Sequence, residues 1–182
     1  MKQETGTIEY RMLRMDEIEP ALFNAFERHQ SVTRCWRKEN GAWHIRDIAF
    51  EERWGSAEYE VLCLDLRRTI QNGGAVFCAL IDGRLKGFSA VNAGLFGKKN
   101  EYIDMPALHV SEESRDAGIG EALFLLAADW ARKQGAKKLY ISGHSAVETQ
   151  AFYRAMGCRE AIEYSAEHVA AEPCDCQLEY VL

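Results

Sequence analysis

The sequence predicts a mixed α/β fold, and three observations carry this prediction. The chain has 182 residues, of which 47% are hydrophobic and 27% charged, which suits one compact core rather than a disordered chain. Two apolar runs of strand length flank Asp82-Gly83, a two-residue hairpin signal. Residues 118–134 carry an apolar stripe at helical spacing and lie between further strand-like runs, as a crossover helix would.

The other elements follow from the period of the apolar residues. Alternating or continuous apolar runs predict strands at residues 6–13, 75–81, 84–96, 102–110, 139–143 and 177–182. Apolar positions at helical spacing predict helices at residues 16–31, 57–72, 118–134 and 146–156. Ser145 and Glu148 are predicted to form a capping box before the last helix, which Gly157 ends.

Charge and cysteine usage narrow the function classes. The chain has 22 Lys and Arg against 28 Asp and Glu, and its net charge of −6 disfavours a nucleic-acid binder. We expect no membrane span, since no run of 18 apolar residues occurs, and the first ten residues lack the apolar segment of a signal peptide. We therefore expect a cytoplasmic protein with six reduced cysteines and no metal site, because Cys174-x-Cys176 has no second ligand pair.

The segment from Val110 to Gly120 is the most informative in the chain. It follows a predicted strand and opens the 118–134 helix, where free backbone N–H groups bind phosphate oxygens. Glycines at 118 and 120 leave the backbone open to a pyrophosphate. The R-x-x-G-x-G pattern from Arg115 is neither a Walker loop nor a dinucleotide fingerprint, so alone it fits equally well a helix start with two glycines.

The FYRAMGC segment at residues 152–158 gives this loop a context. With R-x-x-G-x-G at 115–120, and a helix and a strand between the two, it makes residues 75–182 resemble the GNAT acetyltransferase superfamily. Residues 1–74 resemble that superfamily only in the order of their elements. The resemblance implies one domain over residues 1–182, with acceptor-side elements before residue 75 and an acetyl-CoA core after it. It further implies a mixed, mostly antiparallel sheet of six or seven strands, about four helices and a splayed central strand pair.

The resemblance implies direct transfer of an acetyl group from acetyl-CoA, a co-substrate, to an amine. In this superfamily the glycine loop wraps the CoA pyrophosphate, and the strand before it pairs with the pantetheine arm. The implied contact residues are Leu108, His109, Val110, Arg115, Asp116, Ala117, Gly118, Ile119, Gly120, Ser145, Phe152 and Tyr153. The chain departs from the family where Arg115 is the only cation in the loop, beside Glu112, Glu113 and Asp116, and where Ala146 replaces a frequent asparagine.

Three residues are predicted to carry the chemistry. Tyr153 matches the family tyrosine that protonates the departing sulfur, and the backbone N–H of Val110 would polarise the acetyl carbonyl. Asp104 is the predicted general base, since histone-acetylating members place a glutamate on the matching strand. Its even separation from Val110 puts both on one strand face unless Pro106 distorts the strand. His109 is the rival base, and packing or solvated roles for Tyr153 and Asp104 stay open.

Residues 34–56 are predicted to form the acceptor side, because the two early helices and their connection cover the substrate mouth in this superfamily. Tryptophans would wall a cationic amine and carboxylates would supply counter-charge. The candidates are Trp36, Trp43, Trp54, Glu51 and Glu52. A satellite hydrophobic cluster is the alternative reading. The expected partner is a small-molecule or peptide amine, not nucleic acid or a membrane, and the chain is a possible homodimer through an edge strand at 177–182.

Two other functions stay open at this point. A GNAT-like fold would also serve as a non-catalytic sensor or scaffold that holds CoA. A different nucleotide-binding α/β protein is the third reading, which competition between CoA, NAD and ATP would decide. His144 and Glu148 are weaker site candidates, better explained as a polar loop residue and a capping residue.

Overall fold

The computed structural model describes residues 6–182. Its strands are β1 Ile8–Met12, β2 His29–Glu39, β3 Ala42–Arg53, β4 Ala75–Ile81, β5 Arg84–Val91, β6 Tyr102–Asp104, β7 Ala107–Val110, β8 Lys138–Gly143, β9 Arg159–Glu160 and β10 Cys176–Val181. Its α-helices are α1 Ser56–Gln71, α2 Ile119–Lys133, α3 Val147–Ala155 and α4 Ala166–Ala171. No helix in this part of the chain is both long and apolar enough to cross a membrane.

The strands form two four-stranded sheets that meet at one chain segment. One sheet has the order β1-β4-β5-β7, the other has the order β6-β8-β10-β9, and β2 and β3 form a separate hairpin. Only Met105 and Pro106 separate β6 from β7, so these two strands follow each other as one interrupted strand. With β6 and β7 counted as one, the two sheets form a seven-stranded arrangement that is split in its middle. The β6–β8 pair is parallel and the others are antiparallel, which confirms the predicted α/β class and its splayed strand pair.

The split lies at Met105 and Pro106. The N–H of Met105 donates to the carbonyl of Tyr140 over 2.9 Å, and after Pro106 the chain pairs only with β5. Proline cannot donate a ladder hydrogen bond, so the strand predicted at 102–110 breaks here. The break also shifts the alternation of side chains, so Asp104 and Val110 do not share a face, which is the exception expected if Pro106 distorts the strand. Val110 packs with the core beneath α2, whereas Asp104 lies on the opposite face, with His109.

Each face of the divided sheet has its own hydrophobic core. Residues of α2 and α3 cover one face, where Leu123, Phe124 and Ile141 are fully buried. The packing of α2 is close because β5 carries Gly87, where a Cβ atom would lie 2.7 Å from Ile119 Cγ2. The opposite face is covered by α1 and the early chain, with Phe88 at the centre of an aromatic cluster.

The helix predicted at 16–31 is absent. Short 3₁₀ helices at Met15–Glu17 and Pro20–Phe23 take its place, and β2 already begins at His29. Glu19 is held in an extended conformation by the proline that follows it, so no continuous helix passes this point. The apolar residues that suggested a helix, Phe23 and Phe26, are buried against the α1 side of the core instead.

Residues 34–56 form most of a long β-hairpin rather than a connection between helices. Asn40 and Gly41 turn it, with positive φ values of 51° and 82°. The Asn-Gly pair is a strong hairpin signal. The many charged residues of β2 and β3 obscure the strand pattern on both sides of it, so the hairpin was not predicted.

The remaining predictions differ less from the structure. The elements predicted at 6–13, 57–72, 75–81, 118–134, 139–143 and 146–156 are confirmed within a few residues. The strand predicted at 84–96 ends at Val91, and β9 and α4 were not predicted. The strand predicted at 177–182 exists between β8 and β9, but β9 pairs with it only at Leu178 and Glu179, and dimer formation through this strand stays a prediction.

Candidate active site

The divergence of β7 from β8 creates an open slot in the sheet. The register of β7 on β5, with Ser111 N–H bonded to the Lys86 carbonyl over 2.8 Å, makes Val110 and Gly87 a non-hydrogen-bonded pair. The N–H of Val110 therefore points away from β5, into the slot. Leu108 is two residues earlier and has the same orientation. Two backbone donors thus face the space between the strands.

The hairpin closes one end of this slot. Glu112 N–H donates to the Glu27 carbonyl just before β2, over 2.9 Å. Further along β2, Trp36 N–H donates to the Ser145 carbonyl over 2.8 Å, and Cys35 forms a β-bridge with Ala146. Strand β2 therefore joins the end of β7 to the end of β8.

The glycine loop after β7 presents free backbone donors. Gly118 has φ 77° and precedes α2, whose first backbone bond runs from Ala122 N–H to the Gly118 carbonyl over 3.1 Å. The N–H groups of the first helical turn have no partner within the helix, and the helix dipole favours an anion there. A Cβ atom at Gly118 would meet nothing within 4 Å, whereas a Cβ atom at Gly120 would lie 3.3 Å from the Phe152 ring. The loop therefore has room and donors for a pyrophosphate.

Two of the three acidic side chains of this loop, Glu112 and Glu113, are paired with neighbouring basic side chains. Glu112 contacts His29 Nδ1 at 2.9 Å, and Glu113 contacts Lys86 Nζ at 2.6 Å. Contacts with Glu112 and then Glu51 raise the pKa of His29. Arg115 donates to the His29 carbonyl. The charges that set this loop apart from its family thus hold it against β2 and Lys86.

Tyr153 lies beside the slot at the end of β8. It is buried, and its ring would be 3.2 Å from a Cβ atom at Gly143. Burial raises the pKa of its hydroxyl, so the phenol stays protonated at neutral pH. Phe152 packs edge-on against it, with ring centroids 5.3 Å apart, and lies where a Cβ atom at Gly120 would approach it to 3.3 Å. The helix α3 therefore places a protonated phenol next to the glycine loop.

The cysteines are poor nucleophiles here. All six are free, and five of them are buried. Burial raises the pKa of Cys158 and of Cys176 to about 12, so both remain thiols at neutral pH.

Asp104 is held from two sides on the face opposite α2. Its Oδ2 accepts from Asn92 Nδ2 over 3.0 Å, and Asn92 Oδ1 in turn accepts from Thr69 Oγ1 over 2.9 Å. Its Oδ1 is buried, with His168 Nε2 of α4 at 3.1 Å. That contact lies off the direction of an ideal hydrogen bond. Sequence reasoning missed Asn92 and His168, since neither lies in a recognisable motif.

His109 is enclosed by aromatic rings on the same side of the sheet. Its ring centroid lies 4.9 Å from Trp54 and 5.3 Å from Phe88. Burial, with smaller contributions from Arg28 and Arg115, lowers the pKa of His109 to about 3. The imidazole is therefore neutral and a very weak base at physiological pH.

The predicted acceptor residues are occupied by contacts within the chain. Trp36 lies under the Arg154 guanidinium at 4.5 Å, and Trp43 donates to Glu160 over 3.0 Å. Glu51 pairs with His29, and Glu52 pairs with Arg28 at 2.7 Å. Trp54 packs on His109 as described. The hairpin residues thus tie β2 and β3 to α3 and β9, and the structure does not bring them together with Asp104.

The capping box predicted at Ser145 and Glu148 does not form. The helix α3 has Ala146 as its N-cap, and the Ser145 hydroxyl accepts from Arg37 Nη1 over 2.6 Å. The side chain of His144 folds back, since its Nδ1 accepts from Ala146 N–H over 3.1 Å. Ser145 therefore anchors the hairpin rather than the helix.

The structure thus combines an α/β fold, whose sheet is split, with a glycine loop and a protonated tyrosine at the opening of the split. The sequence model of the acetyltransferase (GNAT) family matches residues 24–158, well over half of the chain, and the chain belongs to this family. A search of curated proteins gave no significant sequence match.

Several solved structures have a similar fold. Nourseothricin acetyltransferase superposes with a TM-score of 0.63 at 19% identity, over 94% of this chain and 95% of that chain. A Bacillus anthracis str. Ames protein described as a streptothricin acetyltransferase, in complex with acetyl coenzyme A, gives 0.69 at 14% identity over 98% of both chains. PaiA N-acetyltransferase from Thermoplasma acidophilum, in complex with coenzyme A, gives 0.57 at 16% identity over 97% and 99%.

Proposed function

We propose that this protein transfers an acetyl group from acetyl-CoA directly to a primary amine, in the cytoplasm, which its free thiols favour. The observation that carries the proposal is the orientation of the Val110 N–H into a slot that lies between the glycine loop and Tyr153. Bound acetyl-CoA would supply a thioester carbonyl and a thiolate leaving group. Residues of the chain itself would provide binding, oxyanion stabilisation and proton transfer.

Binding is assigned to the backbone around the slot. The N–H groups from Asp116 to Gly120 would hold the pyrophosphate, and those of Leu108 and Val110 would hold the pantetheine arm and the carbonyl oxygen. A preorganised N–H at Val110 would stabilise the oxyanion that develops during transfer. Residues before 75 would then cover the end of the slot, and residues 75–182 would form the acetyl-CoA core and line the acceptor cavity on the Asp104 face.

Proton transfer is assigned to side chains on the two faces of the sheet. Tyr153, which burial keeps protonated, would donate to the departing sulfur. The amine would enter from the opposite face, and its proton would pass toward Asp104. Both reactants are aligned by the site, so no covalent enzyme intermediate is needed.

The acceptor is proposed to be a small molecule with a cationic amine. A cavity of about 360 Å³, within the range of small-ligand sites, lies on the Asp104 face and has Glu167 on its wall. Two of the similar structures bear the names of nourseothricin and streptothricin acetyltransferases, which supports a small-molecule acceptor. A homodimer is not required for any of these roles.

The proposal is tested by measuring thiol release from acetyl-CoA with a panel of small amines and peptides. Mass spectrometry then identifies the acetylated products. CoA binding is measured separately by calorimetry. Acetylated product with at least one amine supports the proposal. Tight CoA binding without turnover across the panel would contradict it and favour a CoA-binding scaffold, and stronger binding of NAD or ATP would exclude both functions.

A further inference from the structure

A pair of titratable side chains lies where the slot begins, on the face of the sheet opposite α2 and α3. Asp104 ends β6 beside Tyr140 of β8, next to the Met105–Tyr140 bond after which the strands separate. His168, from α4, contacts Asp104 and stacks on the Tyr140 ring with centroids 5.4 Å apart. The pair therefore lies at the apex of the slot, on the side proposed for the acceptor.

Asp104 and His168 differ in how accessible their side chains are to a ligand. The carboxylate of Asp104 is largely unavailable to a ligand, because its Oδ2 accepts a hydrogen bond from Asn92 and its Oδ1 is buried behind the imidazole. The side chain of His168 is 26% exposed and lines the cavity of about 360 Å³ between α4 and the loop after β5. Asp104 lines the same cavity, but its side chain is only 15% exposed, so the imidazole presents more of its surface to an amine there than the carboxylate does.

We propose that His168 is the group that accepts the proton of the acceptor amine, and that Asp104 is its positioning residue. This inference rests on the proposed function. A carboxylate 3.1 Å from Nε2 favours the tautomer that carries the imidazole proton on Nε2, which would leave the lone pair on Nδ1. The chain from Thr69 through Asn92 to Asp104 fixes the orientation of the carboxylate and hence of the ring.

The proton balance of the transfer is complete with these groups. The ammonium form of the acceptor first releases one proton to solvent, and the nitrogen of the resulting neutral amine then bonds to the acetyl carbon while the carbon–sulfur bond breaks. The amine loses one proton to His168 Nδ1, and the departing sulfur gains one from Tyr153. Exchange with solvent then returns His168 to its neutral form and Tyr153 to its protonated form.

The charges around His168 set the direction of its pH dependence. Asp104 on β6 faces it, Glu167 is its neighbour on α4, and Asp175 lies before β10. Tyr140 of β8 packs on the ring and contributes no charge at neutral pH. The Asp104 contact raises the pKa of His168, so the basic form accumulates at a higher pH than in an ordinary histidine.

The test compares the pH profile of kcat/KM in the wild type and three variants. His168→Gln is expected to lose about 10²-fold in kcat and the acid limb of the profile. Asp104→Asn is expected to keep an acid limb but to move it to lower pH, because the imidazole loses the carboxylate that holds its pKa up. Glu172→Gln, an acidic residue after α4, is the matched control and is expected to leave kcat unchanged.

Two further measurements separate this inference from the proposed function. Calorimetry with CoA, and thermal unfolding at alkaline pH where His168 is neutral, are expected to be unchanged in His168→Gln, and an NMR titration is expected to give His168 a lower pKa in Asp104→Asn. The inference is wrong if the wild type acetylates an amine while His168→Gln keeps its rate and acid limb, or if that variant loses CoA binding or its fold. If the wild type acetylates no amine, the proposed function fails and this inference fails with it.

Discussion

The N–H of Met105 donates to the carbonyl of Tyr140 over 2.9 Å, and beyond this bond β7 pairs with β5 alone. Pro106 follows at once and has no N–H to extend the ladder. One dipeptide therefore ends the pairing of β6 with β8, opens the slot, and sends Asp104 and Val110 to opposite faces. The chemistry proposed here depends on that separation, since acceptor and thioester would approach from different sides.

Tyr153→Phe is expected to lower kcat by about 10²-fold with little change in the KM for acetyl-CoA, because only the proton donor is lost. Stability should be preserved, since the ring still fills its buried place beside Gly143. Steady-state kinetics and thermal unfolding measure the two effects. Tyr180→Phe, in a tyrosine that packs edge-on against Phe124, is the control. Equal kcat values for wild type and Tyr153→Phe would exclude the acid role.

Gly118→Ala is expected to raise the KM for acetyl-CoA, because φ 77° is unfavourable for alanine and a Cβ atom would project into the open space of the loop. The same backbone strain costs about 1 kcal/mol of stability. Gly135→Ala is the matched control, since Gly135 has φ 86° and equal open space but ends the far side of α2. A KM that rises equally in both variants would show that strain alone is responsible.

Local signals account for the parts of the fold that were predicted. The Asp82-Gly83 turn and the amphipathic stripe of α2 are contained within short segments, and both are found where expected. The Asn40-Gly41 turn was equally local but was overlooked beside a charged hairpin. The 16–31 segment was misread because helical spacing of apolar residues also fits 3₁₀ turns that bury Phe23.

The candidate site, like the fold, has parts that the sequence predicts and parts that it does not. The glycine loop and Tyr153 could be predicted because each belongs to a contiguous motif. The roles of both in acetyl transfer remain predictions. The pairing of Asp104 with His168 joins residues that are distant in sequence, and it depends on where α4 packs. Likewise, the sequence did not indicate that Glu51 and Glu52 are neutralised by His29 and Arg28, since those partners come from the other strand of the hairpin or just before it.

Gly87→Ala is expected to destabilise the protein by about 1–3 kcal/mol, because its Cβ atom would lie 2.7 Å from Ile119 Cγ2 and 2.8 Å from Leu123 Cδ1. The contact would push α2 away from β5 and displace the glycine loop that α2 carries. Urea unfolding gives the free energy of unfolding, and the KM for acetyl-CoA gives the position of the loop. Unchanged values of both would show that α2 is not seated on Gly87.

Cys174 is expected to be the cysteine that reacts with a thiol reagent in the native protein, because it is exposed and the other five are buried. The raised pKa of Cys158 and of Cys176, about 12 in each, further suppresses their thiolates. Mass spectrometry after brief labelling should give one adduct per chain, and labelling in urea should give six. Rapid native labelling of Cys174→Ser at another cysteine would contradict the burial described.

His29→Gln is expected to reduce stability more at about pH 6 than at about pH 9. Contacts with Glu112 and then Glu51 raise the pKa of His29 in the folded state, so the folded protein binds the proton more tightly than the unfolded chain. That contribution is complete below the ordinary histidine pKa of about 6.5 and is lost as the pH rises through the raised value. Urea unfolding at both pH values measures the difference, and His44→Gln, in an exposed histidine of β3, is the control. If the two variants lost stability equally at both pH values, the proposed ion pairs would not hold β2 against the glycine loop.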